Sequence, residues 1–308
     1  MTSLILFHSH TYVKILFLKN APEFTEPEGS RRSMTIVSAF FDMGTFKKGT
    51  EEKKRNSSIY IEWSRPYRYM NNPMVIFTDN EHFKQEMLKI RENHLSRTMV
   101  VLIPKNLLWS YKLIPWIEKI IRTPGYPEYH PNTVLPEYSS AMFAKTELVA
   151  YVAEKNFFNT DYFCWIDIGY YRNILDRRKP FWLEVPNSFD RKRVALTGVY
   201  KIDLENTPVR DVFLRKMDWL AGGLQVTTSD VAVRFNKQFQ DSLVRYLSMG
   251  YVNSDQQVIF SMCTRPERTK YPLDVELQLF YQTPSTKSNI DPGNWFHLGY
   301  LMYKENVD

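Results

Sequence analysis

Three aspartates stand directly after compact apolar runs. Asp42 follows 35–41, Asp79 follows 74–78, and Asp167 follows 162–166 in the order Trp165-Ile166-Asp167-Ile168-Gly169. A carboxylate in such a place either caps a turn or helix or faces a ligand. Asp79, followed by Asn80 and a helical pattern, suits capping as well as binding. Asp167 precedes Ile168-Gly169-Tyr170-Tyr171 with no helix to cap. At the end of a buried strand it must find a cation or several donors, because an unpaired carboxylate there costs several kcal/mol. The chemistry on offer is oxygen ligation of a hard cation, Mg²⁺ or Mn²⁺, beside the oxygens of a diphosphate. Of the six histidines, His297 is notable for its aromatic, glycine-flanked turn, Asn294-Trp295-Phe296-His297-Leu298-Gly299. An imidazole there either packs in the core or adds a ligand.

The aspartates matter because of the elements that carry them. The runs 35–41, 74–78, 99–103, 162–166 and 194–199 are rich in β-branched and aromatic residues and read as buried strands. Helix-length stretches at 80–93, 106–122 and 140–156 lie between them. This alternation predicts an α/β fold, a mainly parallel sheet flanked by helices, with ligands bound outside the carboxyl ends of the strands. After Ser229-Asp230, the residues Val231, Phe235, Phe239, Leu243 and Leu247 recur every four positions, with Gly250 where a C-terminal cap belongs. These aromatics read as core. A polar stretch, 21–33, closes an N-terminal extension (1–33) and leaves a single domain over 34–308.

A chain of 308 residues with 44% hydrophobic and 24% charged content can bury a large core, which excludes wholesale disorder. No G-x-G-x-x-G is present, and although Gly44 and Gly49 have P-loop spacing, Thr50 stands where that loop needs lysine. The formal charge of +6 is spread along the chain, which suits an anionic small ligand better than a nucleic-acid stripe. The densest basic run, 47–55, holds two glutamates and no aromatic residue, and reads as a solvated loop. Cys164 and Cys263 lie in apolar runs, as buried reduced thiols do. The segment 3–18 is too short and too polar for a membrane span and has no cleavage site. With no clear signal or anchor, the compartment stays open between cytoplasm and secretory-pathway lumen.

The order of Asp167-Ile168-Gly169, Gly222-Gly223, Ser254-Asp255-Gln256 and His297-Leu298-Gly299 resembles metal-dependent GT-A glycosyltransferases. The nearest group is HtrL/YibB, whose typical segments look like 35–42 and 165–170, and the similarity spans 34–304. The resemblance implies a GT-A-like, Rossmann-like domain that moves a sugar from a nucleotide-diphosphate donor, a UDP-sugar, to a hydroxyl acceptor such as a glycan. It implies Asp167 and His297 as ligands of Mn²⁺ or Mg²⁺. Phe40, Asp42, Asp79, Lys145, Gly222 and Gly223 would surround the nucleotide. Asp255 and Gln256 would act near the reacting carbon, as acceptor base in an inverting reaction or as donor contacts in a retaining one. Ser254 and Gln257 have the spacing of a capping box ahead of a helix. Among Trp63, Tyr67, Tyr69, Trp109, Tyr111, Trp116, Tyr126 and Tyr129, two or three are expected to face the acceptor. The pattern departs in one place: Gly169 stands where the second Asp of D-x-D belongs. That loss leaves room for a site whose diphosphate is neutralised by basic residues, and for the alternative of a binding protein that has lost turnover.

Overall fold

The computed structural model describes residues 33–49, 54–287 and 290–305. The expected N-terminal extension lies outside them apart from Ser33. The chain begins with β1 (Met34–Phe40), β2 (Phe46–Lys47), β3 (Lys54–Arg55), α1 (Ser57–Trp63), β4 (Met74–Thr78), α2 (Glu81–Ile90) and β5 (Thr98–Leu102). It continues with α3 (Ile114–Ile121), α4 (Pro136–Lys155), β6 (Tyr162–Ile166), β7 (Phe181–Leu183), β8 (Val194–Gly198), α5 (Val209–Leu214) and β9 (Leu220–Thr227). The remainder is α6 (Ser229–Ser248), α7 (Asp255–Cys263), α8 (Arg265–Lys270), β10 (Leu277–Tyr281), α9 (His297–Met302) and β11 (Tyr303–Glu305).

Seven strands form the central sheet in the order β10-β8-β9-β6-β1-β4-β5. β1 pairs in parallel with β4 and β6, β4 with β5, and β10 with β8, while β9 runs antiparallel to both its neighbours. From β1 the chain builds outward through β4 and β5, then returns to the opposite side of β1 at β6. The order therefore reverses between β1 and β6, and the crevice beyond their carboxyl ends is where such a sheet binds ligands. Both faces are covered, which is why the strands read as unbroken apolar runs. Ile36, Phe40, Ile76 and Ile166 pack with Phe83 and Met87 of α2. Val37, Val75, Phe77 and Trp165 pack with Ala144, Leu148 and Val152 of α4.

Helix α4 has buried residues on nearly every side, from Tyr138 through Phe143 and Lys145 to Val152, because it lies against the sheet, α3 and α6. Its Pro136 sits in the first turn, and Asn156 ends it in the left-handed region, donating its N–H to the Val152 carbonyl. The expected helix 106–122 instead breaks into two short 3-10 turns followed by α3, since Pro115 favours the first turn of a new helix. Two strands of the seven-stranded sheet escaped the sequence reading. Gly222-Gly223 interrupts the strand pattern of β9, and β10 is a half-buried strand at the sheet edge. Cys164 and Cys263 are buried free thiols. No helix among the described residues is long and apolar enough to cross a membrane.

Phe235, Phe239 and Leu243 of α6 are buried in one apolar cluster with Phe213 and Phe260, as the four-residue spacing predicts for core residues. Phe239→Ala is expected to lower the unfolding free energy by about 3–5 kcal/mol in urea titration, through lost burial and an unfilled cavity.

Candidate functional site

At the carboxyl end of β6 the Asp167 N–H donates to the Gly223 carbonyl at 2.9 Å, extending the β6–β9 pairing by one residue. The Trp165 indole N–H donates to Asp167 Oδ1 at 2.8 Å. Beneath them α4 delivers Lys145, only 3% exposed. Its ammonium lies 3.1 Å from Asp167 Oδ1 and 3.1 Å from Asp255 Oδ2, and donates to the Gly222 carbonyl at 2.8 Å. Asp255 opens α7, whose start is fixed by Gln257 Oε1 accepting from both the backbone N–H and the hydroxyl of Ser254. This is the reciprocal half of the expected capping box.

The glycines of β9 are dictated by this junction. A Cβ at Gly222 would run into the Asp255 carboxylate and lie 3.0 Å from Gln256 Cγ, and one at Gly223 would lie 3.3 Å from the Tyr170 ring and 3.5 Å from Asp167 Oδ2. Burial alone would pull the Lys145 amine down. Asp167 and then Asp255 more than reverse this, holding it above the ordinary 10.5 and charged. Burial raises the Asp255 carboxyl above 3.8 against the pull of Lys145. The Asp255 side chain is 6% exposed and that of Asp167 41%, so Asp167 is the member of the triad that meets solvent.

Above the triad opens a cleft of about 380 Å³, within the range of small-molecule sites. Its lining includes Lys48, Arg55, Lys145, Arg172 and Lys216 against Asp167, Asp218 and Asp255, an excess of two positive charges. Aromatic walls come from Phe40, Tyr60, Trp63, Tyr138, Trp295 and Phe296. The Arg55 guanidinium lies 4.4 Å and that of Arg172 5.4 Å from the centre of the Trp63 ring, distances at which cation–π attraction acts. A Cβ at Gly169 would sit 2.6 Å from Trp63 Cε3, so the indole excludes any side chain from that position.

The family HtrL_YibB, described as bacterial protein of unknown function, matches residues 32–272, most of the chain. The chain belongs to the HtrL_YibB family. No curated protein matches it.

In this HtrL_YibB protein the cleft gathers Phe40, Lys145, Asp167, Gly222, Gly223, Asp255 and Gln256 from the sequence-predicted set. Gln256 donates its amide to the Leu220 carbonyl at 2.6 Å. Asp42 and Asp79 do not line the cleft. The Asp42 N–H donates to Asp79 Oδ1 at 2.7 Å, Asn80 donates to Asp42 Oδ2 at 2.7 Å, and Lys105 bridges both, donating to the Asp42 carbonyl at 2.6 Å and lying 3.1 Å from Asp79 Oδ2. Asn80, not Asp79, caps α2. His297 is buried away from the cleft, its Nδ1 3.3 Å from Asp291 Oδ2.

Of the aromatics expected at an acceptor site, Trp63 alone lines the cleft. Tyr67 supports it from below, donating to the Asp167 carbonyl at 3.1 Å, and Tyr126 and Tyr129 tie loops by donating to the carbonyls of Val252 and Leu214. Arg55 and Lys48, inside the run read as a solvated loop, reach the cleft because β2 and β3 pair into a hairpin. Residues 50–53 of that run lie outside the described residues. Arg172, Lys216 and Asp218 were also missed. Arg172 carried one usable signal, as the first cation after the β6 end.

The donor set fits a divalent cation poorly. An ion on Asp167 would have to share that carboxylate with an ammonium already held between two carboxylates. The expected partner His297 instead pairs with Asp291, and Trp63 excludes a side chain at position 169. Among the described residues no three His, Cys, Asp or Glu side chains converge as ligands.

Lys145→Ala leaves the buried Asp255 carboxylate without its cation and facing the half-exposed Asp167, and is expected to cost about 3–5 kcal/mol of stability by urea titration near neutral pH. Because the folded amine titrates above its ordinary 10.5, this stabilisation is complete below that pH. The gap between wild type and variant should hold from about pH 7 to about pH 10 and narrow above.

Proposed function

We propose that this protein binds a nucleotide-diphosphate sugar in the cleft and transfers the sugar to a hydroxyl acceptor. The observation that carries the reading is convergence. Asp167, Lys145, Asp255 and the Gly222-Gly223 backbone, far apart in sequence, meet at the topological switch point of an α/β sheet, under a basic and aromatic cleft.

Each part has a physical role in that chemistry. Departure of the nucleoside diphosphate builds negative charge, which fixed cations in a partly desolvated cleft stabilise. The open side of Asp167 accepts hydrogen bonds from donor hydroxyls, while Lys145 and the Trp165 indole hold its Oδ1. Gly222 and Gly223 let the β9 backbone pass against Asp255, Tyr170 and Asp167 at the cleft floor, where a Cβ has no room at Gly222. Flat faces such as Trp295 and Phe296 suit a sugar ring or a base. Asp255, locked on Lys145, holds that lysine at the cleft floor, with Gln256 beside it. The filled position at Gly169 favours a second reading, a binding protein on the same fold without turnover. Release of free nucleoside diphosphate from donor distinguishes the two.

The test is a panel of nucleotide-diphosphate sugars followed by thermal unfolding and by chromatography of released nucleotide. One donor should raise the Tm by at least about 5 °C at about a hundred times its Kd. A folded Asp167→Ala variant should lose at least about tenfold of that donor affinity, the worth of a charge-assisted hydrogen bond. A panel without any stabilising donor would remove the proposal.

A further inference from the structure

We propose that Arg55 and Arg172, displayed on Trp63, form a metal-independent diphosphate site that does the work expected of a divalent cation. The inference rests on the nucleotide-diphosphate-sugar reading and specifies how its anion is held.

The position that would carry the second carboxylate of a metal motif is closed. Gly169 is packed under Trp63, whose indole lies where any side chain would begin. The same indole carries Arg55 at 4.4 Å and Arg172 at 5.4 Å, and Arg172 also lies 4.9 Å from the centre of the Phe296 ring. Arg172 Nη1 donates to the Gly169 carbonyl at 2.9 Å, which anchors the guanidinium to the segment that follows Asp167. One indole therefore removes an anionic ligand and supplies the platform for two cations.

Neither arginine has a carboxylate partner among the described residues, although both are half-buried. Partial burial lowers the basicity of Arg172, and Arg55 lowers it further, so the two cations repel one another across the cleft wall. An anion between them relieves that repulsion. Lys145 cannot play this part alone, because Asp167 and Asp255 already neutralise it. Of the remaining lining charges, Lys48, Arg55, Arg172 and Lys216 stand against Asp218. A diphosphate answers this excess. Guanidinium forks match phosphate oxygens two at a time, and a stacked guanidinium loses little freedom on binding.

The experiment is titration calorimetry of the full-length protein with UDP, uridine and inorganic pyrophosphate, each in EDTA and each with Mn²⁺. Wild type, Arg55→Gln, Arg172→Gln and Arg172→Lys are compared, with thermal unfolding as the check that each is folded. UDP should bind in EDTA, with Kd changed less than about twofold by Mn²⁺. Each Arg→Gln change should weaken it by about tenfold to a hundredfold, and Arg172→Lys should retain part of the affinity. UDP binding that requires Mn²⁺, or folded arginine variants that bind UDP like wild type, would overturn the inference and leave the nucleotide-sugar reading standing. Arginine-dependent pyrophosphate binding in EDTA without binding of UDP would sustain the anion site and defeat that reading. Absence of binding by all three compounds would defeat both.

Discussion

The buried ammonium of Lys145, held between Asp167 and Asp255, is the constraint on which the rest of the site depends. Taking the Lys145 ammonium and the Asp255 carboxylate out of water costs several kcal/mol for each ion, and is tolerated only where geometry satisfies both. Here the two carboxylates and the Gly222 carbonyl receive the ammonium, and the Trp165 indole donates to the shared oxygen of Asp167. The contact joins α4, β6, β9 and α7 at one point. It fixes the cleft floor while leaving part of one carboxylate exposed. It also explains why β9 carries two glycines there: its backbone must pass against the triad with no room for a Cβ at Gly222.

With the floor neutralised internally except for Asp167, the cleft's sign is set by its wall. Trp63 connects the two, since its indole closes position 169 and carries Arg55 and Arg172. In the proposed diphosphate site, charge that a metal would contribute from the floor would come from the side, from groups that need no coordination geometry and cannot lose their protons near neutral pH. Partial exclusion of water strengthens their field relative to that of surface arginines.

Much of this was legible in the sequence where a single residue's neighbours decide its environment. β4 and β6 are covered on both faces, so their apolar runs match the strand bounds, and Asp167 stands out because it ends such a run. Asp255 was legible because Ser254 and Gln257 explain the helix start and leave it over. The rest depends on contacts between distant segments. His297 reads as a ligand until Asp291, six residues earlier, is seen to hold it. Asp42 and Asp79 are adjacent strand ends and satisfy each other through Asn80 and Lys105. Arg55 sits in a run whose composition says solvent, and only hairpin pairing brings it to Trp63. The double glycine that hid β9 as a strand is the same feature that marks it as part of the site.

The most direct measurement is a crystal structure of the protein grown with UDP in the absence of divalent metal. The account predicts diphosphate oxygens within hydrogen-bond distance of the Arg55 and Arg172 guanidinium groups, with Lys145 still bridging Asp167 and Asp255. Nucleotide bound elsewhere, or a Lys145 amine turned away from both carboxylates, would contradict it.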